Sequence, residues 1–329
     1  MALAEIIHKP FILEKGEQAR EIGGVKEIIA NPQGWMSDQL TLRLFPARIL
    51  GEVDLQNIPE NPTGLQKAWM RTYKERVVKQ KDKGEKPDFN GPKVAVRYLT
   101  QNSDGNLEVD AQLTDFFTLW GLPGVAKDLH DRAVSELTEQ RGTEIPIGVS
   151  THNMLVIGEG DNRKVVMAVQ SRGQAFSAGR ISTTLEEQME PTQWTPFRTA
   201  SAGFQEELGI EVPVENIQLL GVAAEKSAAY TSWAFVVKVP ELTEESIRKS
   251  WESATDKKEG MALFFIPLNE IDQWMKEEIP FDTWCPYAKD DSLKSGTAYI
   301  EQKALPVHST ALWRLTLLQE HLKTQEDNS

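Results

Sequence analysis

Two adjacent carboxylates, Glu206 and Glu207, close a short predicted helix and are the side chains best suited to chemistry in this chain. Thr195 is a good N-cap residue for that helix, and Gly209 is typical of the position just after a helix ends. Ionised carboxylates at the negative end of a helix dipole are disfavoured unless a cation compensates them. A divalent metal ion would supply that charge, although two glutamates before a glycine also form an ordinary solvent-facing helix end. The segment therefore leaves both interpretations open.

The composition is that of a soluble globular protein, and it restricts the partners that the chain could bind. Of its 329 residues, 40% are hydrophobic and 26% are charged, and this length favours two domains. The net charge of -13 repels phosphate at long range, which argues against nucleic acid and membrane surfaces as partners. A small phosphate-bearing ligand would need local arginine, lysine or metal. The single cysteine, Cys285, cannot form an internal disulfide, and we expect a cytoplasmic protein.

Residues 1–145 carry strand and helix patterns that predict an N-terminal α/β domain. Period-two alternation predicts strands, apolar residues at helical spacing predict helices, and Asn102-Ser103-Asp104-Gly105-Asn106 is a strong hairpin turn. The predicted strands span residues 40–44, 93–99 and 107–113. The predicted helices span residues 22–29, 64–80 and 128–141.

Residues 146–329 follow a predicted domain boundary and alternate between extended and helical patterns. Two apolar stretches on either side of a glycine-rich turn predict a β-hairpin over residues 149–170. Further strands are predicted over residues 217–224, 231–239 and 261–266. Further helices are predicted over residues 241–253, 267–275 and 309–323.

The segment Glu206-Glu207-Leu208-Gly209-Ile210 resembles the end of the Nudix box, G-x5-E-x7-R-E-U-x-E-E-x-G-U, where U is a bulky apolar residue. A predicted hairpin that ends in Ser171-Arg172-Gly173 precedes this segment, in the order that is usual in that family. The resemblance implies an α/β fold in which residues 146–329 form a Nudix-type α/β/α sandwich with a mixed sheet. Residues 1–145 would form an N-terminal α/β accessory domain.

The N-terminal region is also similar to the accessory region of the two-domain Nudix hydrolases that cleave UDP-sugars. The likeness rests on a tryptophan-bearing helix followed by the turn Phe89-Asn90-Gly91-Pro92-Lys93, which resembles an F-N-G-x-K turn of those enzymes. This likeness implies a nucleotide sugar as the favoured substrate, with ADP-ribose and dinucleotides as further candidates.

The Nudix resemblance also implies that clustered carboxylates hold Mg²⁺ or Mn²⁺ as a cofactor. Such an ion polarises phosphate oxygens and lowers the pKa of its bound water. Glu206 and Glu207 match the metal-binding and catalytic glutamates of the box. The chain departs from the box at Gly203 and Ala202, where the family carries glutamate and arginine. Another acid must therefore replace the missing ligand.

Three other acids and two arginines are candidates for the rest of the site. Glu186 and Glu187 resemble the front of the box, and both are predicted metal ligands. Glu259 precedes an apolar strand, where Nudix domains often carry a further metal ligand or the catalytic base. Arg172 and Arg180 flank the loop before the helix, where they would either bind substrate phosphate or simply be solvated.

Two functions are compatible with these residues. The leading one is divalent-metal-dependent hydrolysis of a nucleoside diphosphate derivative, bound as a small-molecule substrate. The alternative is a catalytically degenerate Nudix-fold module that binds a nucleotide or a protein partner as a sensor, because a fold does not determine a function. The sequence indicates no oligomeric state.

Overall fold

The computed structural model describes residues 19–84, 86–170, 181–256, 260–272, 287–288 and 309–327. Its strands are β1 (Glu21–Ile22), β2 (Val25–Trp35), β3 (Leu40–Leu50), β4 (Pro92–Gln101), β5 (Leu107–Asp115), β6 (Ile147–Ile157), β7 (Lys164–Gln170), β8 (Ile181–Ser182), β9 (Leu185–Gln188), β10 (Ile217–Glu225), β11 (Tyr230–Lys238), β12 (Gly260–Pro267) and β13 (Tyr287–Ala288). Its helices are α1 (Gly64–Tyr73), α2 (Lys79–Asp82), α3 (Phe116–Val125), α4 (Lys127–Thr138), α5 (Pro196–Gly203), α6 (Glu244–Ser253) and α7 (Ser309–Asp327).

These strands form one mixed sheet that contains residues from both halves of the chain. Its longest path runs β1-β2-β10-β11-β6-β4-β5-β3. The pairs β11–β6 and β3–β5 are parallel, whereas β2–β10 and β4–β6 are antiparallel. The last two pairs join strands on either side of the predicted boundary at residues 145 and 146. The division into domains 1–145 and 146–329 stays a prediction.

Helices cover both faces of the sheet and divide the apolar core into separate clusters. On one face, the Phe197 ring of α5 packs edge-on against the Phe235 ring of β11, with centroids 5.0 Å apart. On the other face, Trp313 of α7 lies in a second cluster with Ala234 and Val236 of β11. Because successive strand residues point to opposite faces, β11 contributes to both clusters. The predicted α/β/α arrangement with a mixed sheet is confirmed.

The predicted helix over residues 22–29 is wrong, because this stretch is the hairpin of β1 and β2. Ile22 pairs with Val25, and Gly23 and Gly24 form the turn with φ angles of 60° and 84°. Such a turn requires positive φ, which glycine adopts without a steric penalty. Strand β2 is buried on both faces, so its apolar residues are nearly continuous and lack the alternation of a half-exposed strand.

Most other predicted elements are confirmed, but the sequence patterns missed α3. The antiparallel β4–β5 hairpin turns at Asn102, and α4 and α6 lie where helical spacing placed them. Helix α3 begins at its N-cap Asp115, whose side chain accepts a hydrogen bond from the Thr118 N–H at 2.8 Å. Its residues are mostly buried, so it has no polar face and no helical periodicity.

Within the residues that the structure describes, no helix is sufficiently long and apolar to traverse a lipid bilayer.

Candidate functional site

The helix that carries the glutamate pair begins and ends where the sequence predicts. The Thr195 hydroxyl accepts a hydrogen bond from the Arg198 N–H at 3.2 Å and caps the N-terminus. Helix α5 continues beyond Gly203 as one π-helical turn, Phe204–Leu208. Gly209 then adopts a left-handed conformation with φ of 67°, and its N–H donates to the Gln205 carbonyl at 3.2 Å. The π-turn widens the end of the helix at the two glutamates, and such turns are frequent at functional sites.

Gly203, which stands where the Nudix box has glutamate, is required by a side chain from the neighbouring strand. A Cβ atom added at Gly203 would lie 2.6 Å from Glu187 Cγ and 3.4 Å from Glu187 Oε1. Glycine therefore leaves the room that the Glu187 side chain of β9 occupies. Glu207 lies four residues after Gly203, about one turn further along the same helix face. Its side chain is 6% exposed. Strand and helix together thus supply carboxylates to one region.

Glu206 lies beside this region, in an acidic and more exposed setting. Partial burial raises the pKa of the Glu206 carboxyl above its ordinary value, and the negative charges of Asp256 and Glu190 act in the same direction. The Asp256 N–H also donates to the Glu206 carbonyl at 2.9 Å. Glu190 is paired with Lys93 at 2.8 Å. These like charges disfavour the ionised form of Glu206, and a cation beside it would oppose that effect.

The structure separates Glu186 from the other predicted ligands. In the β6–β9 pairing, His152 stands opposite Glu186, whereas Thr151 stands opposite Glu187. Neighbouring residues of a strand point to opposite faces of the sheet. Glu186 accordingly accepts a hydrogen bond from Arg314 Nη1 at 3.0 Å, on the face that α7 covers. Glu186 is thus not brought to the helix face on which Glu187 and Glu207 lie.

Arg314 is the centre of a buried polar cluster that no motif in the sequence predicts. Its guanidinium is fully buried, and Nη2 donates to Ser232 Oγ at 3.0 Å. His152 Nε2 lies 3.6 Å from Glu225 Oε1, and Glu225 lies 3.9 Å from Arg314 Nη2. Burial lowers the pKa of the Arg314 guanidinium, while Glu186 and Glu225 act in the opposite direction.

Within this cluster, the carboxyl of Glu225 has a pKa that lies well above its ordinary value. The pKa of this carboxyl is raised to about 7, chiefly by burial; Arg314 opposes this shift, Glu186 adds to it, and the Ser232 hydroxyl opposes it. The sequence signals this cluster only through the position of Arg314 among the apolar residues of α7. Arg314 lies three residues after Ala311 and four before Leu318, on the buried stripe of α7.

The remaining predicted site residues, Arg172, Arg180 and Glu259, lie outside the described residues. In the parts of the chain that the structure describes, no group of three or more histidine, cysteine, aspartate or glutamate side chains is placed to hold a metal ion. What the structure does show is that Glu187 of β9 lies against Gly203 and that Glu206 and Glu207 follow Gly203 in the next turn of the same helix.

No family model matches the chain, and a search of curated proteins found no match. Several solved structures are similar to part of it. The Nudix domain of Shewanella oneidensis NrtR, complexed with ADP-ribose, has 10% identity and a TM-score of 0.30, and the match covers 53% of this chain and 87% of that domain.

A MutT/Nudix family protein from Listeria innocua has 17% identity and a TM-score of 0.29 over 48% of this chain and 96% of its own. A Nudix hydrolase from Alicyclobacillus acidocaldarius has 10% identity and a TM-score of 0.32 over 50% of this chain and 99% of its own. Over about half of its length, the chain is similar to these structures of the Nudix family.

Proposed function

We propose that the protein is a divalent-metal-dependent hydrolase of a nucleoside diphosphate derivative, with a nucleotide sugar as the favoured substrate. The observation that carries this proposal is the approach of Glu187 to Gly203. Glu187 Oε1 lies 3.4 Å from the point where a Cβ atom of residue 203 would stand, which supports Glu187 as the replacement for the missing Nudix box glutamate. The acid would come from strand β9 instead of from the helix, while Glu207 keeps its position in the pattern.

Two or three carboxylates are sufficient for the metal that this proposal requires. Mg²⁺ is commonly bound through one or two protein carboxylates together with substrate phosphates, and it keeps several waters. Glu187 and Glu207 fit that donor set. When bound, Mg²⁺ or Mn²⁺ would neutralise phosphate charge and lower the pKa of a coordinated water. Glu206 would be the carboxylate that accepts a proton from the attacking water.

Three further residues keep their predicted roles in this proposal. Arg172 and Arg180 would bind phosphate, and Glu259 would add a ligand or a base. The net charge of -13 supports a small-molecule ligand over nucleic acid or membrane and makes local cations necessary for phosphate binding. A cytoplasmic location is part of the same proposal.

A second candidate function is a binding module without turnover. It is favoured by the replacement of both box residues, by Ala202 and Gly203, and by the small number of carboxylates that converge among the described residues. Such a module would bind a nucleotide or a protein partner and would not hydrolyse the nucleotide.

The test is a panel of UDP-sugars, ADP-ribose and dinucleotides with Mg²⁺ or Mn²⁺, with release of nucleoside monophosphate as the readout. A hydrolase should release product from at least one compound, and Glu207→Gln and Glu187→Gln should each abolish that release. Glu215→Gln is the matched control, because Glu215 is an exposed acid outside the site. A ligand that raises the melting temperature while no product forms would instead identify a binding module.

A further inference from the structure

Strand β9 carries Glu187 to helix α5, and it is only four residues long. It pairs with β6, where Glu186 stands opposite His152 and Glu187 stands opposite Thr151. A slip of one residue would turn every side chain of the strand to the other face of the sheet. Because Glu186 and Glu187 are the same residue type, their own chemistry does not determine which of them faces α5. The contacts on each face of the strand must make that choice.

On the α7 face of the sheet, the carboxylate of Glu186 is held by three other elements. Arg314 Nη1 of α7 donates a hydrogen bond to Glu186 Oε1 at 3.0 Å, and the Ser182 hydroxyl of β8 donates to the same oxygen. His152 Nδ1 of β6 lies 3.4 Å from that oxygen. These contacts converge on one side chain of β9, so they fix the strand on this face.

Arg314 can hold Glu186 in place because the guanidinium is itself fixed. It is fully buried, and its two terminal nitrogens divide their contacts. Nη1 reaches Glu186 and also donates to Ser182 Oγ at 3.1 Å, whereas Nη2 donates to Ser232 Oγ at 3.0 Å. The planar fork of arginine suits such a divided set of acceptors, and the single ammonium of lysine does not. A buried carboxylate also depends strongly on its cation, because an uncompensated charge in the interior is costly.

On the α5 face, the position of Glu187 allows little displacement. A Cβ atom added at Gly203 would lie 2.6 Å from Glu187 Cγ and 3.0 Å from Leu185 Cδ1, so the helix lies directly against β9. Glu186 and Glu187 share one stretch of backbone and point to opposite faces. A displacement of Glu186 would therefore move the backbone that carries Glu187. A shift of about 1 Å in a group that must meet a reacting centre is enough to impair it.

We infer that Arg314 is a positioning residue for Glu187, although the two side chains lie on opposite faces of the sheet. By holding Glu186, the guanidinium fixes β9 in the register at which Glu187 lies against Gly203. Arg314 acts through Glu186 and is not itself a ligand. The consequence for metal binding rests on the proposed function, in which Glu187 is a metal ligand, whereas the effect on the strand does not.

The first measurement is hydrogen–deuterium exchange of the full chain over Leu185–Gln188, which reports opening of β9 without metal or substrate. Arg314→Lys keeps the positive charge and loses the fork. Glu186→Gln keeps the size of the side chain and loses its charge. Each variant should exchange faster over β9 by about tenfold or more, because each weakens a buried charge-assisted hydrogen bond. Thermal melting verifies that each variant folds.

Arg20→Lys is the matched control for these variants. Arg20 also connects α7 to a strand, because it pairs with Glu320 of α7 at 2.5 Å and with the buried Glu27 of β2 at 2.6 Å. Neither partner belongs to β9. Arg20→Lys should leave the exchange of β9 unchanged, even where it lowers the melting temperature as much as Arg314→Lys does.

The second measurement is titration of the full chain with Mn²⁺, followed by the electron paramagnetic resonance signal of the free ion. Arg314→Lys and Glu186→Gln should weaken Mn²⁺ binding by about tenfold or more, since the supporting contacts of a metal ligand commonly matter by about 10–100-fold. In a Glu187→Gln background, Arg314→Lys should have no further effect, because a positioning residue acts only through the residue that it positions. A residue that merely stabilises the fold would not change the Mn²⁺ affinity of the folded protein.

Exchange of β9 that is unchanged in both Arg314→Lys and Glu186→Gln would overturn the inference. An equal loss of Mn²⁺ affinity from Arg314→Lys with and without Glu187 would also overturn it. A wild type that binds no Mn²⁺ would contradict the proposed function, and the exchange of β9 would still decide the inference. Faster exchange with unchanged Mn²⁺ affinity would retain the positioning and contradict the role of Glu187 as a metal ligand.

Discussion

Replacement of Glu225 by glutamine should change the free energy of unfolding in a pH-dependent way. The difference between variant and wild type should shift in favour of the variant as the pH rises. Glu225 is 7% exposed, and burial raises the pKa of its carboxyl from 4.5 to about 7. The folded state therefore holds a proton on this side chain that the unfolded state releases between those pH values. Wild-type stability should fall as the pH rises from 4.5 to 7, because the unfolded state then binds fewer protons.

The magnitude follows from the size of the shift. A difference of 2.5 pH units, from 7 minus 4.5, corresponds to about 3 kcal/mol of unfolding free energy. Glutamine resembles the protonated acid in size and carries no titrating charge. The unfolding free energy of Glu225→Gln, minus that of the wild type, should accordingly rise by about 3 kcal/mol as the pH increases from 4.5 to above 7.

The groups that face Glu225 are Arg314 from α7, Glu186 from β9, and His152 and Ser232 from neighbouring strands. All four are unchanged in the variant, so the comparison measures the titration of Glu225 together with its coupling to these neighbours. The assay is urea unfolding of both proteins across this pH range, followed by circular dichroism. A stability difference that does not change with pH would refute the reasoning. Glu215→Gln, at an exposed position, should show no such trend.

Three further substitutions test packing and charge. Gly203→Ala places a Cβ 2.6 Å from Glu187 Cγ, so we expect it to displace that carboxylate and lower hydrolysis at least about tenfold in a steady-state assay. Gly121→Ala places a Cβ 2.2 Å from the Ala68 carbonyl oxygen, where α1 meets α3. It should lower the unfolding free energy by about 1–3 kcal/mol, measured by denaturant titration. Arg314→Met leaves buried carboxylates without their cation and should cost about 3–5 kcal/mol in the same measurement.

Each of these expectations has a control or an outcome that contradicts it. Gly203→Ala with full activity would mean that Glu187 has no role at the site. Gly142→Ala is the control for Gly121→Ala, because its added Cβ would meet nothing closer than 3.8 Å. An Arg314→Met protein as stable as wild type would show that the buried cluster needs no cation there.

Local patterns were reliable where neighbouring residues decide the structure. Thr195 and Gly209 mark the ends of one helical segment because a cap hydroxyl and a left-handed glycine act within a single turn. The β4–β5 hairpin follows equally from its turn residues. Local periodicity predicted a helix over residues 22–29, which are strands, and it did not predict α3. Burial on all sides removes the periodicity that distinguishes strands from helices.

The sequence alone determined that Glu206 and Glu207 stand together at a helix end and that a glycine replaces the box glutamate. Only the tertiary structure decided which of Glu186 and Glu187 faces that helix. The two are adjacent in sequence, and the register of β9 against β6 sends them to opposite faces of the sheet. The Arg314 cluster joins residues as far apart as 162 positions, and no local pattern encodes such a contact. Pairing register and long-range packing therefore set the site, because they determine which acids share a face.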